Sequence, residues 1–290
     1  MVGWGNEIAR VNARVIVGDG PIDLEADVTV GEVGGHRVPI KRYFVNGVTR
    51  RQIDFVGNLK AVLFWPEDLK MVTDSPSLRR RYLDFVLVQV DREYRRSLLS
   101  YEKGLRQRNR LLEKIREGES SRNQLIFWDQ LLVKTGNYLT ATRVSYIEAI
   151  NQGDKPFGQF HLKYDQSIIS ENRLAQYAEE EVAAASTLVG PHRDDFIFFE
   201  GKRNLADFGS RGEQRLVILW LKLAELEFVS VRSGERPVLL LDDIFSELDH
   251  RHRDEVVRVM EKQQTILTTA DRHFLSEGLV QAAEMIELGK

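Results

Sequence analysis

Pro237-Val238-Leu239-Leu240-Leu241-Asp242-Asp243-Ile244-Phe245-Ser246-Glu247-Leu248-Asp249 is the stretch that decides the fold. Four apolar residues, Val238 to Leu241, read as a strand buried on both faces, the pattern of a parallel sheet in an α/β domain. Two carboxylates, Asp242 and Asp243, follow where such a strand emerges at its carboxyl end. Open α/β sheets bind ligands at that edge. Acids at such an edge are placed to bind a cation or to orient a water on a ligand held there. A core strand followed by a solvated turn and helix cap has the same pattern, so the rest of the chain must decide.

Composition sets the bounds. With 290 residues, 42% of them hydrophobic, the chain can bury a sizeable core and has room for two lobes. The absence of cysteine excludes a disulfide framework, a thiolate metal site and a cysteine nucleophile, and fits a reducing cytosol. Met1-Val2-Gly3-Trp4-Gly5-Asn6 has neither the basic nor the apolar region of a secretory signal, and no stretch approaches the length of a membrane span. Net charge is −3, so affinity for nucleic acid must come from local patches.

Runs from Val11 to Val17, Leu24 to Val30 and Arg37 to Val45 lead into Asn46-Gly47, a strong hairpin signal, and predict an antiparallel β-layer over residues 9–56. Ala61 to Trp65 is a further short apolar run, halted by Pro66. From Pro76 the character changes. Leu87, Tyr94, Leu98, Tyr101, Leu105, Leu112 and Ile115 recur at spacings of mostly three and four, interrupted by Asp91 and Arg108. A second such run goes from Leu125 to Ala149, and Glu117-Gly118-Glu119-Ser120-Ser121 separates the two. The expectation is an antiparallel helical hairpin, its first helix reaching about 60 Å.

Between Pro76 and Glu117 there are twelve Lys/Arg and six acids. Two readings are open: a solvated face with paired charges, or a surface that contacts phosphates, with Arg106, Arg108 and Arg110 as DNA-binding candidates. Phe160 to Tyr164 alternates as a strand, Glu171 to Ser186 reads as a helix, and Phe196 to Phe199 as another strand. Between them, Thr187-Leu188-Val189-Gly190-Pro191-His192-Arg193-Asp194-Asp195 is dense in charge. His192 and Arg193 there are either satisfied loop residues or groups facing phosphate or a partner subunit.

The motifs together carry a resemblance. Phe208-Gly209-Ser210-Arg211-Gly212-Glu213-Gln214-Arg215 resembles the signature of ABC-type ATPases, a turn opening a helix, Val238 to Asp243 resembles Walker B, and Ser246 to Asp249 resembles the D-loop that follows it. Thr187 to Asp195, Leu221-Lys222-Leu223-Ala224-Glu225, Phe64-Trp65-Pro66-Glu67-Asp68-Leu69, Ser75 to Arg80 and Gln107 to Leu112 complete a pattern similar to the RecF family of ABC/SMC-like ATPases. It covers the chain from about residue 6. The resemblance implies an α/β fold: an ABC-type head of mixed or parallel sheet plus antiparallel β-layer, with an inserted helical-hairpin arm. Residues 1–74 would be the β-rich part of the head, 75–186 the arm, and 187–290 the head segment with signature, Walker B and D-loop.

By that resemblance, ATP would lie between two heads of an ATP-dependent homodimer. Asp242 would meet the Mg²⁺, and Asp243 would act on the water. Ser210, Gly212, Glu213 and Gln214 would face the partner head's nucleotide, and Ser246 and Asp249 would bridge the heads. Thr269 or His273 would stand in for the ABC switch. The family engages DNA where single strand meets duplex and loads RecA with RecR and RecO, in repair, recombination, replication and the SOS response. The implied location is cytoplasmic and nucleoid-associated, with no membrane partner.

The chain also departs from the pattern. No Gly-x-x-x-x-Gly-Lys-Ser/Thr occurs, so the Walker A loop that cradles phosphates is not in this sequence. Trp65 stands where the family tends to carry a small polar residue, and Arg211 where Gln is commoner. The Walker A strand is expected beside the Walker B strand, which would leave Val238 to Leu241 unpaired along one side. The alternative function is a DNA-binding or interaction module without ATPase activity of its own.

Overall fold

The computed structural model describes residues 2–18 and 20–287. It opens with the antiparallel layer: β1 (Ile8–Val17), β2 (Gly20–Thr29), a small β3–β4 ribbon (Glu32–Val33, His36–Arg37), β5 (Lys41–Val45) and β6 (Val48–Arg50), in the order β1-β2-β5-β6. Asn46 and Gly47 close the β5–β6 hairpin with φ of 50° and 73°. Those left-handed angles are what a two-residue primed turn demands, which is why Asn-Gly specifies it. Arg10, Asp27 and Arg42 face one another across β1, β2 and β5. The fully buried Asp27 carboxylate accepts hydrogen bonds from both arginines.

After α1 (Gln52–Phe55) the chain enters a parallel sheet at β7 (Ala61–Phe64). The sheet is completed near the end of the chain by β11 (Val238–Asp242) and β12 (Thr265–Thr268), in the order β12-β11-β7. β11 is therefore central, and the expected unpaired side of Val238 to Leu241 is overturned. Leu239 stands opposite Val62 on one flank and Thr265 on the other, and the Val238 and Leu239 amides donate to Lys60 O and Gln264 O. Nor is the strand equally buried on both faces. Leu239 and Leu241 are buried while Val238 and Leu240 are half-buried, so the sheet has one dominant core face.

Between β7 and β11 lies the helical part. A 3₁₀ turn (Pro66–Leu69) and α2 (Lys70–Thr73) lead to α3 (Pro76–Val90) and α4 (Arg92–Arg116). The single helix expected from Pro76 to Glu117 is thus two. Asp91 breaks it with φ −127° and ψ 108°, and its carboxylate accepts the Tyr94 amide as the N-cap of α4. Apolar spacing continues across the break, so periodicity alone does not reveal it. At 25 residues, α4 is about 37 Å long. Gly118 (φ 78°) and a 3₁₀ turn (Arg122–Leu125) reverse the chain into α5 (Ile126–Gln152). α4 packs closely on α5 at Gly104, where an added Cβ would meet Leu131 and Leu132 at 3.2 Å.

β8 (Phe160–Asp165), α6 (Glu171–Gln176) and α7 (Ala178–Ala184) precede β9 (Asp195–Glu200) and β10 (Arg203–Asn204), and the sheet order is β10-β9-β8. The β8–β9 pairing runs across the 186/187 boundary drawn from the sequence. α8 (Leu205–Phe208) then leads to α9 (Arg211–Ser233), which ends on left-handed Gly234. One core joins these layers: Leu83 and Val86 of α3, Tyr146 of α5, Phe160 and Phe198, Val217 and Leu221 of α9, and Leu239 and Leu241. α10 (His250–Met260) and α11 (Glu277–Ala282) follow.

Candidate functional site

The carboxyl edge of β11 carries the candidate site. Asp242 ends the strand exposed, and its Oδ1 accepts a 2.5 Å hydrogen bond from Thr268 Oγ1 on the neighbouring strand. Asp243 turns left-handed, with φ of 50°. That conformation is costly for a residue with a Cβ and collects at functional sites. It is held from both sides. The Asp243 amide donates to Thr268 O at 3.1 Å, and Ser246 Oγ donates to Asp243 O at 2.7 Å. Buried Ile244, Phe245 and Leu248 anchor the turn beneath. Asp249 caps α10 by accepting the His252 amide, and that contact lowers its carboxyl pKa.

Among the described residues no group of three or more His, Cys, Asp or Glu is placed to hold a metal ion. An exposed single carboxylate fits Mg²⁺, which is commonly bound through one or two carboxylates plus a substrate's phosphates.

The segment Phe208 to Arg215 is built as a helix entrance. Gly209 is required at the bend, because a Cβ there would meet Leu205 O at 2.5 Å. Ser210 is the N-cap of α9: its Oγ accepts the Glu213 amide at 3.3 Å while Glu213 Oε2 accepts the Ser210 amide at 2.7 Å. Arg203 donates to Glu213 Oε1 at 2.5 Å, and this bond first, then the Ser210 amide, pulls the Glu213 pKa down to about 2. Gln214 reaches back to Leu205 O at 3.0 Å. Glu213 and Gln214 thus frame the turn from below, whereas Ser210 and Gly212 are exposed at the helix N-terminus, where amides and dipole favour anions.

Thr269 and His273 do not reach the two acids through the bonds they make. Thr269 Oγ1 donates to Asp271 O at 3.1 Å, and His273 Nδ1 lies 2.8 Å from Asp271 Oδ1 with its ring exposed. The residue on Asp242 is Thr268, which opens the segment in the place of the switch but is given no role by the motif pattern. A signal for it existed: the next parallel strand ends at the same edge, so its last residue faces the acid.

A buried cluster behind the site joins two of the quoted segments, Phe64 to Leu69 and Leu221 to Glu225, to which the sequence gives no role. Trp65 donates from its amide and its indole to the Asp68 carboxylate, both at 3.2 Å. Lys222 Nζ lies 3.5 Å from Asp68 Oδ2, 3.3 Å from Glu225 Oε2 and 4.9 Å from the Tyr82 ring centroid. Tyr82 and Tyr146 share a 2.5 Å hydroxyl contact. Burial raises the Asp68 and Glu225 pKa values, Lys222 opposing the shift in each. The cluster ties the turn after β7 to the signature helix and to α3 and α5.

The DNA-binding candidates divide. Arg106 and Arg110 are exposed on α4, but Arg108 is buried. Two residues along a helix is about 200° around it, so the alternate arginine faces inward. Arg108 donates to Asp129 Oδ1 at 2.6 Å and Thr187 Oγ1 at 2.9 Å, and pairs with Glu181 at 2.7 Å. Its assignment to a DNA surface is therefore withdrawn. His192 is withdrawn too. Its ring nitrogens bond Tyr101 and Thr187 O, and burial pushes its pKa down to about 4, so it is neutral near pH 7. Arg193 is exposed. The acids of that loop turn inward, Asp194 to Arg143 and Asp195 to Arg79.

No family model matches the chain. The DNA replication and repair protein RecF of Roseiflexus castenholzii is 36% identical over 295 residues, 90% of this chain and 74% of that protein. The RecF of Chloroflexus aurantiacus is 40% identical over 296 residues, 91% of this chain and 75% of the relative. Among solved structures, that of the recombination mediator protein RecF-ATPrS in the RecFOR pathway superposes with a TM-score of 0.83 at 29% identity, covering 94% of this chain and 77% of the other. The fold is that of an ABC-type ATPase head with a helical-hairpin arm, and the chain belongs to the family of the DNA replication and repair protein RecF.

Proposed function

We propose that this chain is the head-and-arm part of an ATP-dependent, DNA-engaging subunit of gap repair and replication. The observation that carries the reading is the meeting, at one sheet edge, of exposed Asp242, left-handed Asp243 and the Ser246–Asp249 turn. In this reading residues 1–74 and 187–290 form the head and 75–186 the arm, the two joined by the pairing of β8 with β9. Bound Mg²⁺-ATP supplies the phosphoryl group and a bridge between two heads. Asp242 holds the cation side of that nucleotide and Asp243 orients the water. Ser210 and the amides around Gly212 receive a phosphate from the partner head, while Glu213 and Gln214 keep that turn in shape. Ser246 and Asp249 meet the second copy. Arg106, Arg110 and Arg193 offer phosphate contacts to DNA at junctions of single strand and duplex, and RecR and RecO are the partners in loading RecA.

Equilibrium dialysis of ATP against the chain tests this. Saturable binding that supports nucleotide-dependent dimerisation is expected, weaker than in a chain that carries a Walker A loop. Millimolar or absent binding with DNA binding retained replaces the reading with an interaction module that has no ATPase activity of its own. In a hydrolysing full-length context, Asp243→Asn should abolish turnover, and turnover at the parent rate removes the role given to Asp243.

A further inference from the structure

Thr268 is fastened to the end of β11 at two points. It is the register partner of Asp242 across the parallel ladder, its carbonyl accepts the Asp243 amide at 3.1 Å, and its hydroxyl donates to Asp242 Oδ1 at 2.5 Å. Both side chains are exposed, so water could replace this bond on either partner at little cost to folding. What water would not replace is orientation. A carboxylate at a strand end has two-fold rotational freedom about its last bond, and a fixed hydroxyl donor on one oxygen selects the plane in which the other is presented.

We propose that Thr268 is a positioning residue for Asp242, holding the carboxylate in the orientation that meets the divalent cation of a bound nucleotide. The inference rests on the nucleotide reading above. Partners that orient a metal-binding carboxylate commonly matter for cation affinity more than for stability. Thr268 also directly precedes the turn that holds Thr269, Asp271 and His273, whose own hydrogen bonds close on one another. A displacement of that turn reaches Asp242 through a single residue.

Thr268→Val keeps the shape and strand propensity and removes only the hydroxyl, whereas Thr268→Ser keeps the hydroxyl. The readout is the Mg²⁺ concentration that half-saturates binding of a non-hydrolysable ATP analogue to the whole chain, by equilibrium dialysis, beside the urea midpoint. Thr268→Val should raise that Mg²⁺ concentration about tenfold or more, with the urea midpoint and the Mg²⁺-free nucleotide affinity unchanged. Thr268→Ser should return to the parent value. Asp242→Asn sets the scale, since it should abolish the Mg²⁺ dependence. If Asp242→Asn differs from the parent while Thr268→Val does not, the positioning role is wrong and the nucleotide reading stands. If the parent binds no nucleotide at any Mg²⁺ concentration, the nucleotide reading fails and the role of Thr268 fails with it.

Discussion

Arg108 and Glu181 form an ion pair of 2.7 Å inside the arm, with side chains 2% and 0% exposed. The pair locks α4 to α7 and, through Thr187 and Asn109, to the start of the loop that leads into β9. Removing one partner of such a pair strands the other charge in a dry site. Arg108→Gln should therefore cost about 3–5 kcal/mol of stability, read as a lower urea midpoint. Adding Glu181→Gln should recover part of the loss. A midpoint equal to the parent's would mean that the guanidinium is solvated.

Arg106 and Arg110 should behave in the opposite way. Both are exposed, so replacing them together by Gln should leave the urea midpoint nearly unchanged. DNA binding should weaken for all sequences alike, and the slope of log K against log[salt] should flatten by about 0.9 for each phosphate that is no longer neutralised. An unchanged slope would make this helix face a merely solvated one.

His192 gives the fold a pH dependence of defined sign. Its folded-state pKa, about 4, lies below the ordinary value of 6.5 because burial disfavours the charged ring, with Arg193 and Arg80 adding repulsion and Asp194 opposing them. The unfolded chain therefore binds the proton more readily between those values. The contribution is complete above about pH 6.5 and falls away as pH drops toward 4, and at most it amounts to about 3 kcal/mol. The parent should lose more stability than His192→Asn between neutral pH and pH 5. Parallel losses in the two proteins would show that the ring is not buried neutral.

Lys222→Met should show the reverse trend. The variant leaves Asp68 and Glu225 buried without their cation, and burial already raises both pKa values. A carboxyl with a raised folded pKa contributes stability below its unfolded value, and that contribution is lost as pH rises through the folded one. The deficit of Lys222→Met relative to the parent should thus grow as pH rises above the ordinary carboxyl values of 3.8 and 4.5. A deficit independent of pH would place those carboxylates in contact with water.

Hydrogen exchange should separate the strands of the parallel sheet. Val238 to Leu241 is flanked by β7 and β12, whereas β12 has one partner among the described residues. Amides of the central strand should exchange more slowly than those of β12. Fast exchange throughout β11 would restore the open-edged strand expected from the sequence.

Local chemistry in the sequence was enough for several of these features. Asn46-Gly47 demands a left-handed turn, an apolar run ending in two acids demands a strand whose end meets solvent, and Phe208 to Arg215 demands a helix entrance. The first two depend on neighbours a few residues away and are legible from spacing, whereas the helix entrance is what the resemblance to the ABC-type signature implies. The role of a charged residue could not. Arg106, Arg108 and Arg110 look alike in sequence, and only the arrival of Asp129, Glu181 and Thr187 from other elements makes Arg108 a core residue. Thr268, Lys222 and His192 are of the same kind. Burying a charge or fixing a carboxylate requires partners distant in sequence, and the packing of strands and helices alone decides which ones arrive.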